Sequence, residues 1–179
     1  MTYQNAVSRG YLDEGGRSGV LGWLLSTDHK RIGVLYLASM LAMFFVAVAI
    51  GVLMRVEQLW TEEPVFSPAA YNAFFTVHGV IMTFMFVLPG LPAVFGNFFL
   101  PIMIGAKDVQ FPRLNLLSWY FFMAGAALAV VSLFTGEGPP DTGWTFYAPY
   151  SLRTGANVSL AVFAAFILGF SSIFTGINF

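Results

Sequence analysis

One histidine stands out because it lies within a long run of apolar residues. The run FFTVHGVIMTFMFVLPG covers residues 74–90, and His78 is its single ionisable side chain. An ionisable side chain inside a membrane segment is costly and commonly has a function. A neutral imidazole is a good ligand for haem iron, and it can equally well hydrogen-bond between two packed helices. Both interpretations of the isolated residue remain open at this point.

The spacing of the neighbouring residues is compatible with a flat cofactor and also with ordinary helix packing. His78, Met82, Met85 and Pro89 would share one face of a regular helix. His78 lies about two turns, roughly 10 Å, from the outer end of its predicted helix. The other histidine, His29, is at the inner end of the first predicted span, some 30 Å away. A second axial ligand would therefore have to come from elsewhere.

The composition indicates that the chain lies in a bilayer. Of its 179 residues, 58% are hydrophobic and only 9% are charged, whereas a soluble domain has about 25% charged residues. The net charge of −1 gives no indication of a nucleic-acid partner. The absence of cysteine excludes disulfides, thiolate metal sites and cysteine catalysis.

Stretches without charged residues predict an all-α, polytopic membrane protein. The predicted transmembrane helices cover about 32–57, 71–103, 114–136 and 157–179, and a spanning helix needs about 20 residues. The second is predicted as one long helix bent by Pro89, Pro92 and Pro101, which lack a backbone donor. Residues 1–25 are polar and glycine-rich, and we expect a flexible N-terminal arm before a domain at 26–179.

The distribution of basic residues predicts the orientation. Two regions, the N-terminal arm and the connection after the second helix, hold six of the eight basic residues: Arg9, Arg17, Lys30, Arg31, Lys107 and Arg113. The connections after the first and third helices are acidic. Because loops rich in lysine and arginine remain inside, we expect a cytoplasmic (or matrix-side) N-terminus.

Five separated motifs, in order, resemble subunit I of the haem-copper respiratory oxidases. They are STDHKRIGVLYL, TVHGVIMTFMFVLPG, FGNFFLPIMIGAKDVQFPRLN, GWTFYAPY and SSIFTGINF. The resemblance runs from about residue 26 to residue 179 and covers the N-terminal third of that subunit. It implies four helices of a larger, twelve-helix-type bundle. Because residues 177–179 end the chain within an apolar helix, we expect an N-terminal portion of a longer or split subunit.

The resemblance implies a low-spin haem, with haem A as the expected type and His78 as one axial ligand. Its partner histidine would lie on a later helix, as would the ligands of the high-spin haem and of copper. The other cofactor-binding positions that the resemblance implies are Arg55, Tyr71, Gly79, Met82 and Trp144. Without the resemblance, Arg55 would be interpreted as an outer anchor and Trp144 as an interfacial aromatic residue.

The resemblance also implies the entrance of the family's D-type proton pathway. Asp108 corresponds to the acid at its mouth, on the side where the predicted topology requires proton uptake. The polar residues that would line the entrance are Asn97, Asn115, Ser118, Ser171, Ser172 and Asn178. Amides and hydroxyls can hold a water chain. By themselves, these residues would be interpreted as a loop acid and as polar contacts between helices.

Departures from the family pattern bear on the electron donor and on a cation site. Glu57 resembles a carboxylate that some members use for a structural cation, but residues 58–60 replace the glycine-rich continuation of that loop. Positions that carry polar quinol-site residues in quinol-oxidising relatives are Val46, Ile50 and Ala70 here. These residues favour cytochrome c over quinol as the donor.

The resemblance therefore implies a segment of the catalytic subunit of a proton-pumping terminal oxidase that transfers electrons from cytochrome c to oxygen. The expected partners are the remaining helices of subunit I, subunits II and III, cytochrome c and membrane lipid. The expected location is the bacterial or mitochondrial inner membrane, and this chain alone is not expected to be active. The alternatives are a non-catalytic or assembly-stage fragment, a quinol-oxidising member, and an unrelated four-span transporter or scaffold.

Overall fold

The computed structural model describes Leu12 and residues 19–59 and 64–179. Most of the predicted N-terminal arm, residues 1–25, lies outside the described residues. Within the described ranges every extended regular element is a helix, and the sole β-type pairing is an isolated bridge between Gly136 and Ala156. The predicted all-α fold class is confirmed.

Within the described residues, four helices are long and apolar enough to cross a bilayer. The first span is His29–Glu57, the second is Pro68–Ile104, the third is Pro112–Ser132 and the fourth is Val158–Asn178. A short helix, Val20–Leu24, precedes them, and a single 3₁₀ turn, Tyr150–Leu152, lies between the third and fourth spans.

Capping residues set the start of three of these spans. Asp28 accepts a hydrogen bond from the Lys30 amide at 2.9 Å, and Asn157 accepts one from Leu160 at 3.0 Å. Ser67 caps the second span immediately before Pro68, a residue well suited to the first helical position. The second span therefore begins at residue 68 rather than at about 71, and the third ends at residue 132 rather than at 136. Hydrophobicity alone locates a span but not its cap.

The second span changes its winding in the middle. It is α-helical over Pro68–Val80, π-helical over Ile81–Val87 and Gly90–Gly96, and α-helical again over Asn97–Ile104. The prolines at 89 and 92 cannot donate to the preceding turn, so the backbone adopts wider turns around them. Side chains after Val80 consequently leave the face that regular helical spacing assigns to them.

The core lies between the spans and is formed mainly by the first three, with Leu168 from the fourth. Ile32, Tyr36, Met85 and Phe122 are almost fully buried there, and the rings of Tyr36 and Phe122 are 5.5 Å apart. Met85 therefore belongs to the core. The sequence predicted that Met85 shares a helix face with His78, and at Met85 that face is used for helix packing.

The third and fourth spans approach each other closely through a glycine. A Cβ atom on Gly125 would lie 2.7 Å from Leu168 Cγ and 3.1 Å from the Ala164 carbonyl oxygen. The absence of a side chain thus lets the two backbones meet, as is usual between membrane helices.

The connections gather at two opposite ends of the bundle. At one end, Tyr120 donates to the Leu24 carbonyl at 2.6 Å, and the Phe111 amide donates to Asn178 Oδ1 at 2.8 Å. We call this the Asp108 end; it contains residues 19–31, 105–113 and 175–179. The Trp144 end contains residues 55–59, 64–72 and 133–157.

Candidate cofactor cavity and buried polar network

A cavity of about 510 Å³ lies between the first and second spans near the Trp144 end. This volume is within the usual range for small-molecule and cofactor sites. Its lining residues are Gly51, Met54, Arg55, Gln58, Tyr71, Phe75 and His78. Three of the predicted cofactor-binding residues, His78, Arg55 and Tyr71, therefore meet at one cavity.

The first span fixes the orientation of the His78 ring. His78 Nδ1 lies 2.9 Å from the carbonyl oxygen of Ala47. A carbonyl oxygen only accepts, so Nδ1 carries the hydrogen and Nε2 of the neutral ring carries the lone pair. Gly51 makes room for this approach, because a Cβ atom there would lie 3.1 Å from His78 Cε1. The ring thus has the tautomer and the backbone partner typical of metal-binding histidines.

Arg55 lies at the rim of the cavity and makes one side-chain hydrogen bond to the described residues. Its Nη1 donates to Gln58 Oε1 at 2.7 Å, and Gln58 Nε2 donates to the Tyr71 hydroxyl at 3.2 Å. A guanidinium has five N–H donors, so one hydrogen bond leaves several for a ligand. In the sequence, Gln58 stands out only as part of a departure from the family's loop pattern, so its place at the cavity was not predicted.

The structure separates the other three predicted cofactor residues from this cavity. Trp144 packs on Gly79, where a Cβ atom would lie 2.8 Å from Trp144 Cδ1. The rings of Trp144 and Phe84 are 6.3 Å apart. Met82 packs against the hydrophobic core. It lies just after the start of the π-helical segment at Ile81, where the helical spacing changes. Gly79 and Trp144 thus contact each other rather than the cavity that contains His78.

These features fit one side of a large, flat, partly polar ligand that contains a metal. His78 Nε2 offers a single nitrogen ligand, Arg55 offers charged donors, and Tyr71 and Phe75 offer aromatic surface. A haem has an iron that takes an axial imidazole and a polar periphery, so the donor set agrees with it. Among the described residues, no cluster of three or more His, Cys, Asp or Glu forms a separate metal site.

A buried polar network near the Asp108 end joins all four spans. It includes four of the predicted pathway residues: Asn97, Asn115, Ser118 and Ser171 are at most 3% exposed. Asn115 Nδ2 donates to Asn97 Oδ1 at 2.5 Å. Tyr36, also fully buried, lies with its hydroxyl 2.9 Å from Ser118 Oγ and 2.8 Å from Ser171 Oγ.

The hydroxyl hydrogens in this network follow one direction. Ser118 donates to the Asn115 carbonyl at 2.6 Å, so its oxygen can only accept from Tyr36. Tyr36 has then used its single hydrogen, and Ser171 must donate to it. The chain of hydrogen bonds therefore runs from Ser171 to Tyr36 to Ser118 and ends at the backbone carbonyl of Asn115.

Two predicted pathway residues lie outside this network, and two members were missed. Ser172 is exposed on the outer face of the fourth span, and Asn178 bonds the Phe111 amide instead. Tyr36 and Thr175, whose hydroxyl donates to the Ser171 carbonyl at 2.9 Å, were missed. A signal for Tyr36 was present, because it is a polar-tipped residue in an apolar helix.

Asp108 lies half-buried in the connection between the second and third spans. Burial raises the pKa of its carboxyl above the ordinary value of 3.8, although the hydrogen bond from the Val109 amide and the attraction of His29 act in the opposite direction. The neighbouring carboxylate of Asp28 raises the pKa further. His29 itself donates from Nδ1 to the Asn97 carbonyl at 3.3 Å, so it stands between the acid and the buried network.

Two further sequence predictions concern Glu57 and the residues at quinol-site positions. Glu57 Oε2 accepts a hydrogen bond from the Phe66 amide at 2.9 Å, which ties together the two sides of the first connection. Val46 and Ile50 line an apolar cavity of about 170 Å³. Ala70 lies apart from them, at a different cavity.

The fold and these sites define an all-α integral membrane protein with a cavity beside an intramembrane histidine. Residues 31–179 match the family described as Cytochrome C and Quinol oxidase polypeptide I, and the chain belongs to this family.

Several relatives in this family are similar over most of the chain. It is 38% identical to a probable cytochrome c oxidase subunit 1-alpha of Streptomyces avermitilis, over 89% of the chain and 28% of that relative. It is 41% identical to a cytochrome c oxidase subunit 1 of Candida albicans, over 90% of the chain and 31% of that relative. A heme-copper oxidase subunit I+III of Aeropyrum pernix is 38% identical over 89% of the chain and 20% of its own length. The chain thus spans between a fifth and a third of these relatives.

Proposed function

We propose that His78 is an axial ligand of a low-spin haem in a terminal oxidase. The observation that carries this proposal is the hydrogen bond from Nδ1 to Ala47, which leaves the Nε2 lone pair of a cavity-lining imidazole available. A backbone acceptor on the second nitrogen orients a ligating histidine and raises its basicity. When bound, haem supplies reversible one-electron transfer.

The other residues of the site have supporting roles in this proposal. Arg55 donates to a polar group at the haem edge, and Tyr71 borders the same side of the cavity. Gly79, Met82 and Trp144 act as positioning residues, because the Gly79–Trp144 contact and the packing of Met82 hold the turn that carries His78.

The test of the haem ligand is a comparison of the two histidines of the chain. In the complex purified with its accompanying subunits, His78→Ala should abolish the low-spin band of the reduced-minus-oxidised spectrum. His29→Ala is the matched control and should retain that band, since His29 bonds Asn97 at the opposite end. An unchanged spectrum in His78→Ala would sink the assignment. A pyridine haemochrome spectrum of the wild type identifies the haem, for which we propose haem A.

The whole oxidase is proposed to transfer electrons from cytochrome c to oxygen with coupled proton pumping. The high-spin haem, copper and the second axial histidine would come from the part of the relatives that this chain does not span. The proposed partners are those remaining helices, subunits II and III, and cytochrome c, in a bacterial or mitochondrial inner membrane. The Asp108 end would face the cytoplasm or matrix, because it carries four of the six basic residues in the described ranges: Lys30, Arg31, Lys107 and Arg113.

The choice of cytochrome c over quinol is supported by the surroundings of Val46 and Ile50. Among the residues that line their cavity, Thr76 and Ser132 carry the hydroxyl groups. Each hydroxyl donates to a backbone carbonyl, that of Asn72 at 2.8 Å and that of Ala129 at 2.7 Å. The cavity thus offers little to bind a quinol head group, whose oxygens need polar partners.

A second proposed function is the entrance of a D-type proton pathway at Asp108. The supporting observation is the fully buried polar network around Asn97 and Asn115, reached from Asp108 past His29. Asn115 Oδ1 is buried and has no hydrogen-bond partner among the described residues, so it can accept from a water molecule. Because the hydroxyl chain ends at the Asn115 carbonyl, conduction through it requires Ser118 to rotate away and bond water.

The test of this entrance is proton uptake by the intact oxidase. Asp108→Asn should slow uptake while the haem content remains unchanged. Glu137→Gln, which alters an exposed acid at the Trp144 end, is the control and should leave uptake unchanged. Normal turnover and uptake in Asp108→Asn would remove Asp108 from the path.

A further inference from the structure

Gln58 joins the ends of the first two spans at the rim of the His78 cavity. It caps the C-terminus of the first span, and its backbone amide donates to the Arg55 carbonyl at 3.1 Å. Tyr71 lies in the first turn of the second span, where its amide donates to the Ser67 carbonyl at 3.0 Å. The Gln58 side chain therefore lies between two helix ends whose backbones are each fixed by hydrogen bonds.

The chemistry of Arg55 determines which end of the Gln58 amide it contacts. Gln58 Oε1 lies 2.7 Å from Arg55 Nη1, and Gln58 Nε2 lies 3.2 Å from the Tyr71 hydroxyl oxygen. A guanidinium has donors and no acceptor, so the amide oxygen must face Arg55 and the amide nitrogen must face Tyr71. Because this nitrogen can only donate, the Tyr71 oxygen accepts the hydrogen bond.

The hydrogen of the Tyr71 hydroxyl is consequently available for another acceptor. Within the part of the chain that the structure describes, the Tyr71 hydroxyl makes no hydrogen bond besides the one from Gln58. Tyr71, Arg55 and His78 all line the cavity of about 510 Å³. A hydroxyl that accepts from one neighbour and borders a cavity can donate into that cavity. Arg55 and Tyr71 thus offer hydrogen-bond donors at the same rim.

The amide of Gln58 suits this position better than other side chains of its length. It accepts from Arg55 and donates to Tyr71 at the same time. A glutamate would accept from both neighbours, so the Tyr71 hydrogen would turn toward the carboxylate and away from the cavity. A leucine would hold neither neighbour. Gln58 is exposed, so these substitutions leave the helix core intact.

We propose that Gln58 is a positioning residue that makes Tyr71 a hydrogen-bond donor, so that Arg55 and Tyr71 together bind an oxygen acceptor on the haem edge. This inference rests on the proposed role of His78 as a haem ligand. The acceptor is a carbonyl or a carboxylate substituent, since the oxygens of both accept and do not donate. Donors at the haem edge favour the reduced form, which carries one more electron, so Gln58 raises the redox potential through Tyr71.

The first experiment measures the midpoint potential of the low-spin haem in the complex purified with its accompanying subunits. Gln58→Glu keeps the bond from Arg55 but turns the Tyr71 hydrogen away from the cavity, so the potential should fall. Leu59→Glu is the matched control, because it adds the same charge at the next residue, which is exposed and does not line the cavity. Gln58→Glu should shift the redox equilibrium about fivefold more than Leu59→Glu, the usual contribution of one hydrogen bond. This corresponds to about 40 mV, at about 59 mV per tenfold change.

A Tyr71→Phe background separates the effect of the hydroxyl from that of the added charge. Phenylalanine has no hydroxyl, so Gln58→Glu and Leu59→Glu should shift the potential equally in this background. Two results would overturn the role of Gln58. One is a shift in Gln58→Glu no larger than that in Leu59→Glu when Tyr71 is present. The other is an excess shift in Gln58→Glu that persists with Tyr71→Phe.

The haem-ligand proposal and the Gln58 proposal fail in different ways. Retention of the low-spin band in His78→Ala contradicts the haem ligand itself. A low-spin band that depends on His78, together with equal potentials in Gln58→Glu and Leu59→Glu, contradicts only the role of Gln58.

The second experiment identifies the acceptor from reduced-minus-oxidised infrared spectra of the same variants. A hydrogen bond weakens the C=O bond that accepts it, so loss of the Tyr71 donor should raise the stretching frequency of a carbonyl substituent. This rise should occur in both Gln58→Glu and Tyr71→Phe and be absent in Leu59→Glu. If the acceptor is a carboxylate, its own bands should shift in the same two variants instead. Haem carbonyl and carboxylate bands that are identical in all variants and the wild type would overturn the proposal.

Discussion

His78 Nδ1 lies 2.9 Å from the carbonyl oxygen of Ala47, on the neighbouring span. In a regular helix that carbonyl bonds the amide four residues later, so it accepts the imidazole hydrogen through its second lone pair. The ring is therefore fixed by backbone, which no side-chain substitution at position 47 removes. A substitution that moves the ring must therefore be made at another neighbour of His78. Gly51 is such a neighbour, because a Cβ atom there would contact the ring.

Gly51→Ala should displace the His78 ring and weaken haem binding. The added Cβ atom would lie 3.1 Å from His78 Cε1, so the imidazole has to move. Loss of an outer partner of a metal ligand typically lowers affinity 10- to 100-fold, and we expect about tenfold here. The measurement is the haem content of the purified complex during titration with haem.

The matched control for Gly51→Ala is Gly169→Ala, on the fourth span. A Cβ atom at Gly169 would meet no atom within 4 Å, while both changes gain the same helix propensity. Equal haem affinity in the two variants would show that Gly51 does not set the position of the ring.

Gly79→Ala should destabilise the protein through Trp144. The new Cβ atom would lie 2.8 Å from Trp144 Cδ1 and 2.9 Å from its Cβ, so the indole has to leave its place. Overpacking of this kind costs about 1–3 kcal/mol. The midpoint of thermal unfolding in detergent should fall, and the fluorescence of Trp144 should shift as the ring moves. Gly176→Ala, where a Cβ atom meets open space, should change neither quantity.

Ser171→Ala and Ser172→Ala should differ although the two residues are adjacent. Ser171 is buried and donates to Tyr36, whereas Ser172 is exposed. Ser171→Ala leaves the Tyr36 oxygen without its donor, which costs about 1–3 kcal/mol. Ser172→Ala should change the free energy of unfolding by no more than about 0.5 kcal/mol. Similar unfolding midpoints for the two variants would mean that the Tyr36 network contributes no stability.

The sequence located the spans because their apolar runs are uninterrupted, and it located His78 because a titratable side chain in such a run is conspicuous. It could not predict the contacts that give His78 its tautomer, because Ala47 acts through its backbone and Gly51 through a missing atom. The sequence also did not predict the π-helical turns, because the prolines indicate a bend but whether the backbone kinks or forms wider turns depends on packing. Tyr36 was missed since its role depends on helices that meet only in the fold.

The stability of the protein should depend on pH through Asp108. Burial raises the pKa of this carboxyl in the folded state above 3.8, so the folded chain retains its proton at a pH where the unfolded chain has released it. The folded state then binds more protons than the unfolded state, and the free energy of unfolding decreases as pH rises. The stabilisation is complete below the unfolded pKa of about 4 and is lost as pH passes the raised folded pKa. The amide side chain in Asp108→Asn cannot ionise, so the unfolding midpoint of this variant should lack this decline when it is followed from about pH 4 upward.

Glu137→Gln, which changes an acid at the opposite end, should retain the decline of the wild type. The same slope in Asp108→Asn as in the wild type would show that burial does not perturb this carboxyl, and would remove one support for proton uptake at this position.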